Sequence, residues 1–187
     1  IEHIPYLIKS LERTGVSAIV IEDKIGLKKN SLFENQKNSK QDNIVNFVKK
    51  IKTANKAKIS DDFLIVARIE SFILGKSLFD ALKRAEAYSR AGANAILIHS
   101  NEKKPDQIFN FAKKFIYSKY YKPMIAVPST YNNVTEGELI KHGFKVVIYA
   151  NHFFINLLPY LIIIFSILLI SIISIPIPTI ILTFYSF

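Results

Sequence analysis

Short, near-continuously apolar runs alternate with amphipathic stretches along most of this chain. Pro5–Thr14 is amphipathic and leads through Gly15 into Ser17-Ala18-Ile19-Val20-Ile21, which reads as a buried strand. A polar helix is predicted over roughly Gln41–Ala57, with Ile44, Val45, Val48 and Ile51 at core-facing spacing. Phe63-Leu64-Ile65-Val66-Ala67 is a second strand. Leu78–Ala91, rich in Ala, Leu, Glu, Lys and Arg, is a helix that Gly92 stops. Ala95-Ile96-Leu97-Ile98 is a strand, Pro105–Tyr117 a helix, and Met124-Ile125-Ala126-Val127 another strand. A short helix near Thr135–His142 ends at Gly143, and the strand Lys145-Val146-Val147-Ile148 closes the series.

Strands apolar on both faces suit a parallel sheet covered by helices. The βα alternation therefore predicts an α/β fold, as a barrel or a doubly wound sheet. No glycine-rich phosphate loop follows the first strand, which counts against the dinucleotide-binding version. A (β/α)8 TIM-type barrel needs eight strands. With five in sight, the expectation is an incomplete barrel holding about strands 4 to 8, its first three missing ahead of Ile1.

The pattern breaks after His152. No side chain from Phe153 to Phe187 is charged, and Ile, Leu, Phe and Ser dominate. The organisation expected is thus a barrel portion over 1–152 and an apolar tail over 153–187. Phe153–Ile173 is long enough to cross a bilayer, although Asn156 and Pro159 sit near its start. Ile175-Pro176-Ile177-Pro178 then breaks any continuing helix, and no signal or transit segment is visible at the other end.

The chain lacks cysteine, which excludes a disulfide framework, a thiolate metal site and a cysteine nucleophile, and fits a cytoplasmic enzyme. Its net charge of +10 invites a nucleic-acid reading. The lysines scatter, however, as at Lys49, Lys50, Lys52, Lys56 and Lys58, with no recognisable binding module. They read as a solvated helix face and an AT-rich coding bias, and no nucleic-acid partner is expected.

Polar residues gather just beyond the strand ends: Glu22-Asp23-Lys24, Arg68 with Glu70, His99-Ser100, Pro128-Ser129-Thr130 and Tyr149-Ala150-Asn151-His152. In a barrel these ends share the face on which such enzymes build their sites. Any one of them could be a rim salt bridge or cap; five consecutive ends favour a site. Arg68 offers a planar fork for phosphate or carboxylate. His99 can donate to an oxyanion or move a proton. Glu22 and Asp23 are candidates for the first or second shell of a divalent cation, and either could instead pair with Lys24 or Arg68. Gly26–Asn35, with Lys28, Asn30 and Ser31, is polar and follows the acidic pair, a position that suits either an ordinary connection or a lid.

Glu22-Asp23-Lys24 followed after five residues by Asn30-Ser31 resembles the signature of the phosphoenolpyruvate mutases, within the isocitrate lyase superfamily. Val66-Ala67-Arg68-Ile69-Glu70, Gly75, Ala81-Leu82-Lys83-Arg84-Ala85-Glu86-Ala87-Tyr88 and Ala91-Gly92-Ala93 are similar to that family. So are Ala95–Ser100, Val127-Pro128 and Tyr149–His152, giving a resemblance from about Ile4 to His152.

The resemblance implies isomerisation of phosphoenolpyruvate to phosphonopyruvate, the carbon–phosphorus bond-forming step of phosphonate biosynthesis. Arg68 and His99 would hold the moving phosphoryl group and Glu22 would help place Mg2+ through water. Lys28, Asn30, Ser31 and Leu32 would belong to the gating loop, with Lys28 among the catalytic residues and Lys24 and Glu70 as further motif positions. Asn94 and Ser77 depart from the family's usual aspartate and glycine. The family's pyruvate-binding loop and magnesium aspartates come from earlier strands. Its charged helices after the last strand, exchanged between subunits of a dimer or tetramer, have no counterpart in the tail. A frameshift is the expected origin of the tail, in preference to a membrane anchor. The rival within the fold is phosphonopyruvate hydrolase, and Asn30 beside Ser31 favours the mutase. Carbon–carbon lyases of the superfamily usually carry a lid cysteine, absent here. A reading of another class is an inactive fragment or membrane-tethered remnant, and the chain alone is expected not to turn over phosphoenolpyruvate.

Overall fold

A computed structural model of the protein describes residues 1–26 and 40–149. Lys28, Asn30, Ser31 and Leu32, together with Asn151, His152 and the tail 153–187, lie outside the described residues. Helix α1 (Ile4–Arg13) starts with Pro5 in its first turn, where a missing N–H costs nothing, and buries Ile4 and Ile8. Strand β1 (Ala18–Glu22) follows, then two-residue strands β2 (Lys24–Ile25) and β3 (Lys40–Gln41) and helix α2 (Ile44–Ala57). After β4 (Leu64–Ile69) come α3 (Leu78–Arg90), β5 (Ala95–Ile98), α4 (Asp106–Phe115), β6 (Met124–Ala126), α5 (Glu136–Lys141) and β7 (Phe144–Val147).

The main sheet runs β1-β4-β5-β6-β7, every pair parallel. The order never reverses, unlike that of a doubly wound sheet, so each crossover steps in the same direction, as around a barrel wall. This is part of such a wall: five parallel strands with α/β connections.

Period-2 alternation sorts the strand residues onto two faces. Ile21, Ile65, Ala67, Ile69, Ile96, Ile98 and Ala126 pack in one cluster with the helices. Val66, Leu97, Ile125 and Val127, with Val20 and Ile148 against them, form a separate cluster on the opposite, inner face. On the helix side Phe47 of α2 tilts against Tyr88 of α3 at 4.5 Å between ring centroids, and Phe111 stacks on Phe115 within α4.

Four local details differ from or refine the sequence expectations. The α2 stripe is Phe47, Ile51, Ala54 and Ala57, while Val45 is 60% exposed; Phe47's contact with Tyr88 sets the rotation of the helix. Gln41 is not helical but belongs to the β2–β3 ribbon, whose polar two-residue strands carry no period to read. Ser77 caps α3 by accepting from the Asp80 amide, and Asn94 ties β4 by accepting from the Ile65 amide at 2.8 Å, so both departures from the family pattern are accommodated. Gly92 leaves α3 at a φ of 104°, and a Cβ there would meet Asn55 Nδ2 at 2.9 Å.

At the end of the sheet away from the polar cluster, the Glu12 carboxylate accepts from the amides of Ile59 and Ser60 at 2.8 and 2.9 Å. This strap joins α1 to the loop feeding β4. Glu12→Ala is expected to lower stability by about 1–3 kcal/mol, the range for charge-assisted hydrogen bonds, in urea unfolding followed by circular dichroism. A midpoint equal to wild type would show the strap to be idle.

Candidate active site

The inner face continues past its apolar cluster into Glu22, Arg68 and His99. Each keeps the parity of the residue two positions earlier: Val20, Val66 and Leu97. Register then fixes their neighbours. Glu22 pairs with Arg68 across β1 and β4, and Arg68 pairs with Leu97 across β4 and β5. The three side chains are therefore brought to one rim of the sheet by strand geometry alone.

Their charges are balanced locally. Arg68 Nε donates to Glu70 Oε1 at 2.6 Å and lies 3.6 Å from Glu22 Oε2. Lys24 Nζ sits 3.9 Å from Glu70 Oε2, with Lys24 3% and Glu70 0% exposed. Two cations and two carboxylates thus interlock, and Glu70 holds both cations in place. That geometry presents Arg68 as a fixed guanidinium, half-buried and oriented by a carboxylate behind it.

His99 is buried, and its Nδ1 has no hydrogen-bond partner. Burial, and secondarily the Arg68 charge, pushes its pKa down to about 3. It is therefore a neutral imidazole across the physiological range, able to donate from one nitrogen and accept at the other. Because the folded pKa lies below the usual 6.5, the unfolded chain binds the extra proton first. Stability from this group is full above about pH 6.5 and falls as the pH drops toward 3. The His99 ring signals in NMR should stay at neutral-form shifts down to pH 5; protonation near 6.5 would contradict the burial argument.

Asp23 does not belong to this face. Its parity is that of Ile21, which points to the helices. The carboxylate is fully buried and accepts from Tyr88 Oη at 2.6 Å, the Glu70 amide at 2.9 Å, Arg84 at 3.1 Å and Gln41 Nε2 at 3.0–3.1 Å. Burial pushes its pKa up, against the pull of those partners, yet every partner is a donor and only the ionised form satisfies them all. Burial, and then the Asp23 charge, raises Tyr88 far above a normal phenol. Asp23, named above as a possible metal ligand, thus has both oxygens engaged by donors of the protein. Among the described residues no three acidic, histidine or cysteine side chains converge to hold a metal ion.

The remaining strand ends are partly structural. Ser100 Oγ donates to Gln107 Oε1 and accepts from the Glu102 amide, while Thr130 Oγ1 donates to the Ser100 carbonyl, tying the ends of β5 and β6 together. Tyr149 is exposed and donates to Glu136 at the start of α5. Sequence reasoning assigned no role to Arg84, Tyr88 or Gln41; the four-residue spacing that puts Arg84 and Tyr88 on the α3 face of Ala81 and Ala85 was the available signal.

Comparisons with known proteins show what the chain as a whole is similar to. The family model described as phosphoenolpyruvate phosphomutase matches residues 1–162, continuing past His152. The phosphoenolpyruvate phosphomutase of Tetrahymena pyriformis is 43% identical over 146 residues, covering 78% of this chain and 47% of that protein. The phosphonopyruvate hydrolase of Variovorax sp. (strain Pal2) is 39% identical over 155 residues, covering 80% and 51%. The chain thus spans about half the length of the curated relatives it matches. Among solved structures, a phosphoenolpyruvate phosphomutase from Streptomyces platensis subsp. rosaceus superposes with a TM-score of 0.84 at 32% identity, covering 91% of this chain and 57% of that one. A phosphonopyruvate hydrolase in complex with oxalate and Mg++ gives 0.78 at 33% identity, covering 90% and 56%.

Proposed function

The chain belongs to the phosphoenolpyruvate phosphomutase family, and from that premise we propose that its strand-end rim handles the phosphoryl group in the interconversion of phosphoenolpyruvate and phosphonopyruvate. The observation that carries this reading is the convergence of Arg68, Glu22 and a neutral His99 on one face, with Arg68 held from behind by Glu70. In the reaction the bond from the enol oxygen to phosphorus breaks and one from C3 to phosphorus forms, with no net proton change. A phosphoryl group in transit needs positioning and positive charge more than covalent help. The Arg68 guanidinium would supply that charge. His99, lacking its own, would donate a hydrogen bond without adding a proton to the leaving enolate. Lys28, Asn30, Ser31 and Leu32 are proposed to contact the substrate from the gating loop, a role that rests on the motif they match.

Mg2+ is the proposed cofactor, supported by its presence with oxalate in the hydrolase structure. Glu22 is the residue that would touch it through water. The described residues do not form a magnesium site by themselves. When bound, the ion would supply charge against the enolate and carboxylate of pyruvate. The proposed setting is cytoplasmic, in a homo-oligomer, with a small-molecule substrate and no nucleic acid. Among the described residues no helix is long and apolar enough to cross a membrane.

Phosphorus NMR of phosphonopyruvate incubated with the purified chain and Mg2+ tests this. Appearance of phosphoenolpyruvate supports the mutase. Inorganic phosphate in its place favours the hydrolase, whose named relative is nearly as similar. An unchanged substrate signal would refute turnover by this chain and leave a polypeptide that carries the family's residues without its activity.

A further inference from the structure

The stretch from Lys83 to Tyr88 matches the family pattern but touches no part of the proposed reacting face. Two of its residues, Arg84 and Tyr88, are buried polar groups inside the helix layer. We propose that Arg84 and Tyr88 are positioning residues, which act through Asp23 to fix Glu22, Arg68 and Glu70 on the opposite face of the sheet.

The route is short and continuous. Arg84 donates from Nε to Asp80 at 2.9 Å, and its Nη1 reaches Asp23 at 3.1 Å, the Asp42 carbonyl at 2.8 Å and Tyr88 Oη at 2.9 Å. Tyr88 Oη donates to Asp23 Oδ2 at 2.6 Å. Asp23 in turn knots two strand tips together. Its amide donates to the Arg68 carbonyl at 3.1 Å, and its Oδ1 accepts from the Glu70 amide at 2.9 Å. The residue before Asp23 is Glu22, and the two it grips on β4's tip flank Ile69. Backbone freedom at Asp23 is therefore freedom of all three site side chains.

A second branch reaches the same knot from the ribbon. Gln41 Nε2 bridges both Asp23 oxygens and Ser71 Oγ, and Ser71 Oγ donates to Asp80, which also receives Arg84. The Asp42 amide donates to the Asp23 carbonyl at 2.8 Å, and the Asp42 carboxylate pairs with Lys50 at 2.9 Å. A network this dense is stiff because its members share donors and acceptors, so that moving one strands another. A packed apolar contact in the same place would tolerate sliding. The arrangement suits a rim whose guanidinium must keep its geometry while a charged group arrives and leaves.

This inference rests on the proposed function only for its consequence in binding; the mechanical coupling stands or falls alone. The test uses Tyr88→Phe, which deletes one hydroxyl and keeps the ring against Phe47, and Arg84→Lys, in the full chain. Two readouts are taken: hydrogen exchange of the Arg68 Nε–H, seen in nitrogen-15 NMR, and titration with phosphoenolpyruvate. Glu12→Ala, at the far end of the sheet, is the control for a loss of stability alone. Exchange at Arg68 is expected to speed by about tenfold in both α3 variants, the equivalent of one lost hydrogen bond, and to stay near wild type in the control. Phosphoenolpyruvate binding should weaken by about as much in the same two variants. Unaltered Arg68 exchange in folded variants would overturn the proposal, as would changes that merely track stability across all three proteins. Faster exchange with no phosphoenolpyruvate binding even in wild type would uphold the positioning role and remove the functional reading instead.

Discussion

Asp23→Ala is expected to destabilise the chain by about 3–5 kcal/mol, the cost of leaving a buried charge without its partner. Arg84 is 5% exposed and gives one of its nitrogens to Asp23, so its charge would remain in the helix layer beside Asp80. The Glu70 amide and Tyr88 hydroxyl would lose their acceptor in the same step, and Gln41 Nε2 would keep only Ser71 Oγ. Domains of this kind are stable by about 5–15 kcal/mol in total, so the loss takes a large share. Urea unfolding followed by circular dichroism is the measurement. Asp23→Ala combined with Arg84→Met should recover part of the loss, because the stranded charge goes with its partner. A single-mutant cost below about 1 kcal/mol would mean that the network carries no net energy.

Arg68→Ala should abolish anion handling while the fold survives. The side chain is about one-fifth exposed at a strand tip, and the inner cluster beneath it does not depend on it. Glu70 keeps Lys24 as a partner. Calorimetric titration with phosphoenolpyruvate is expected to show affinity lower by about 2–5 kcal/mol, the cost of truncating one member of a buried charge pair. Where turnover is detectable, it should fall by about a thousandfold or more, the scale of losing an arginine at a transferring phosphoryl group. Arg68→Lys keeps the charge and loses the planar fork, so it should lie between the two. Wild-type affinity in the alanine variant, with an unchanged circular dichroism spectrum, would end the assignment of Arg68.

The strands were legible because both-face burial leaves an unbroken apolar run, as at Ala95–Ile98, where every residue is buried. Order within the sheet was not written in any one strand; it emerged from the count of βα units and their single direction. The site was half legible. Glu22, Arg68 and His99 announced themselves by type and by place, and the structure does gather them. The parting of Glu22 from Asp23 was less legible, because residue type alone does not tell two adjacent carboxylates apart, whereas neighbours on a strand face opposite ways. The ribbon of Lys24–Ile25 with Lys40–Gln41 was illegible for a different reason: two polar residues cannot display a period. Arg84 was hidden because arginine on a helix usually faces water, whereas here it is 5% exposed.

The alternation at the tip of β1 bears on how this protein can change over evolutionary time. Glu22 and Asp23 differ by one methylene, and their duties differ only by which side of the sheet each reaches. A substitution between them would be mild chemistry. An insertion or deletion of a single codon between residues 18 and 24 would be severe, because it would hand each carboxylate the other's neighbours. Descendants of this sequence should therefore drift in composition along β1 while keeping its length fixed. Length variation should collect instead in the turn after α4.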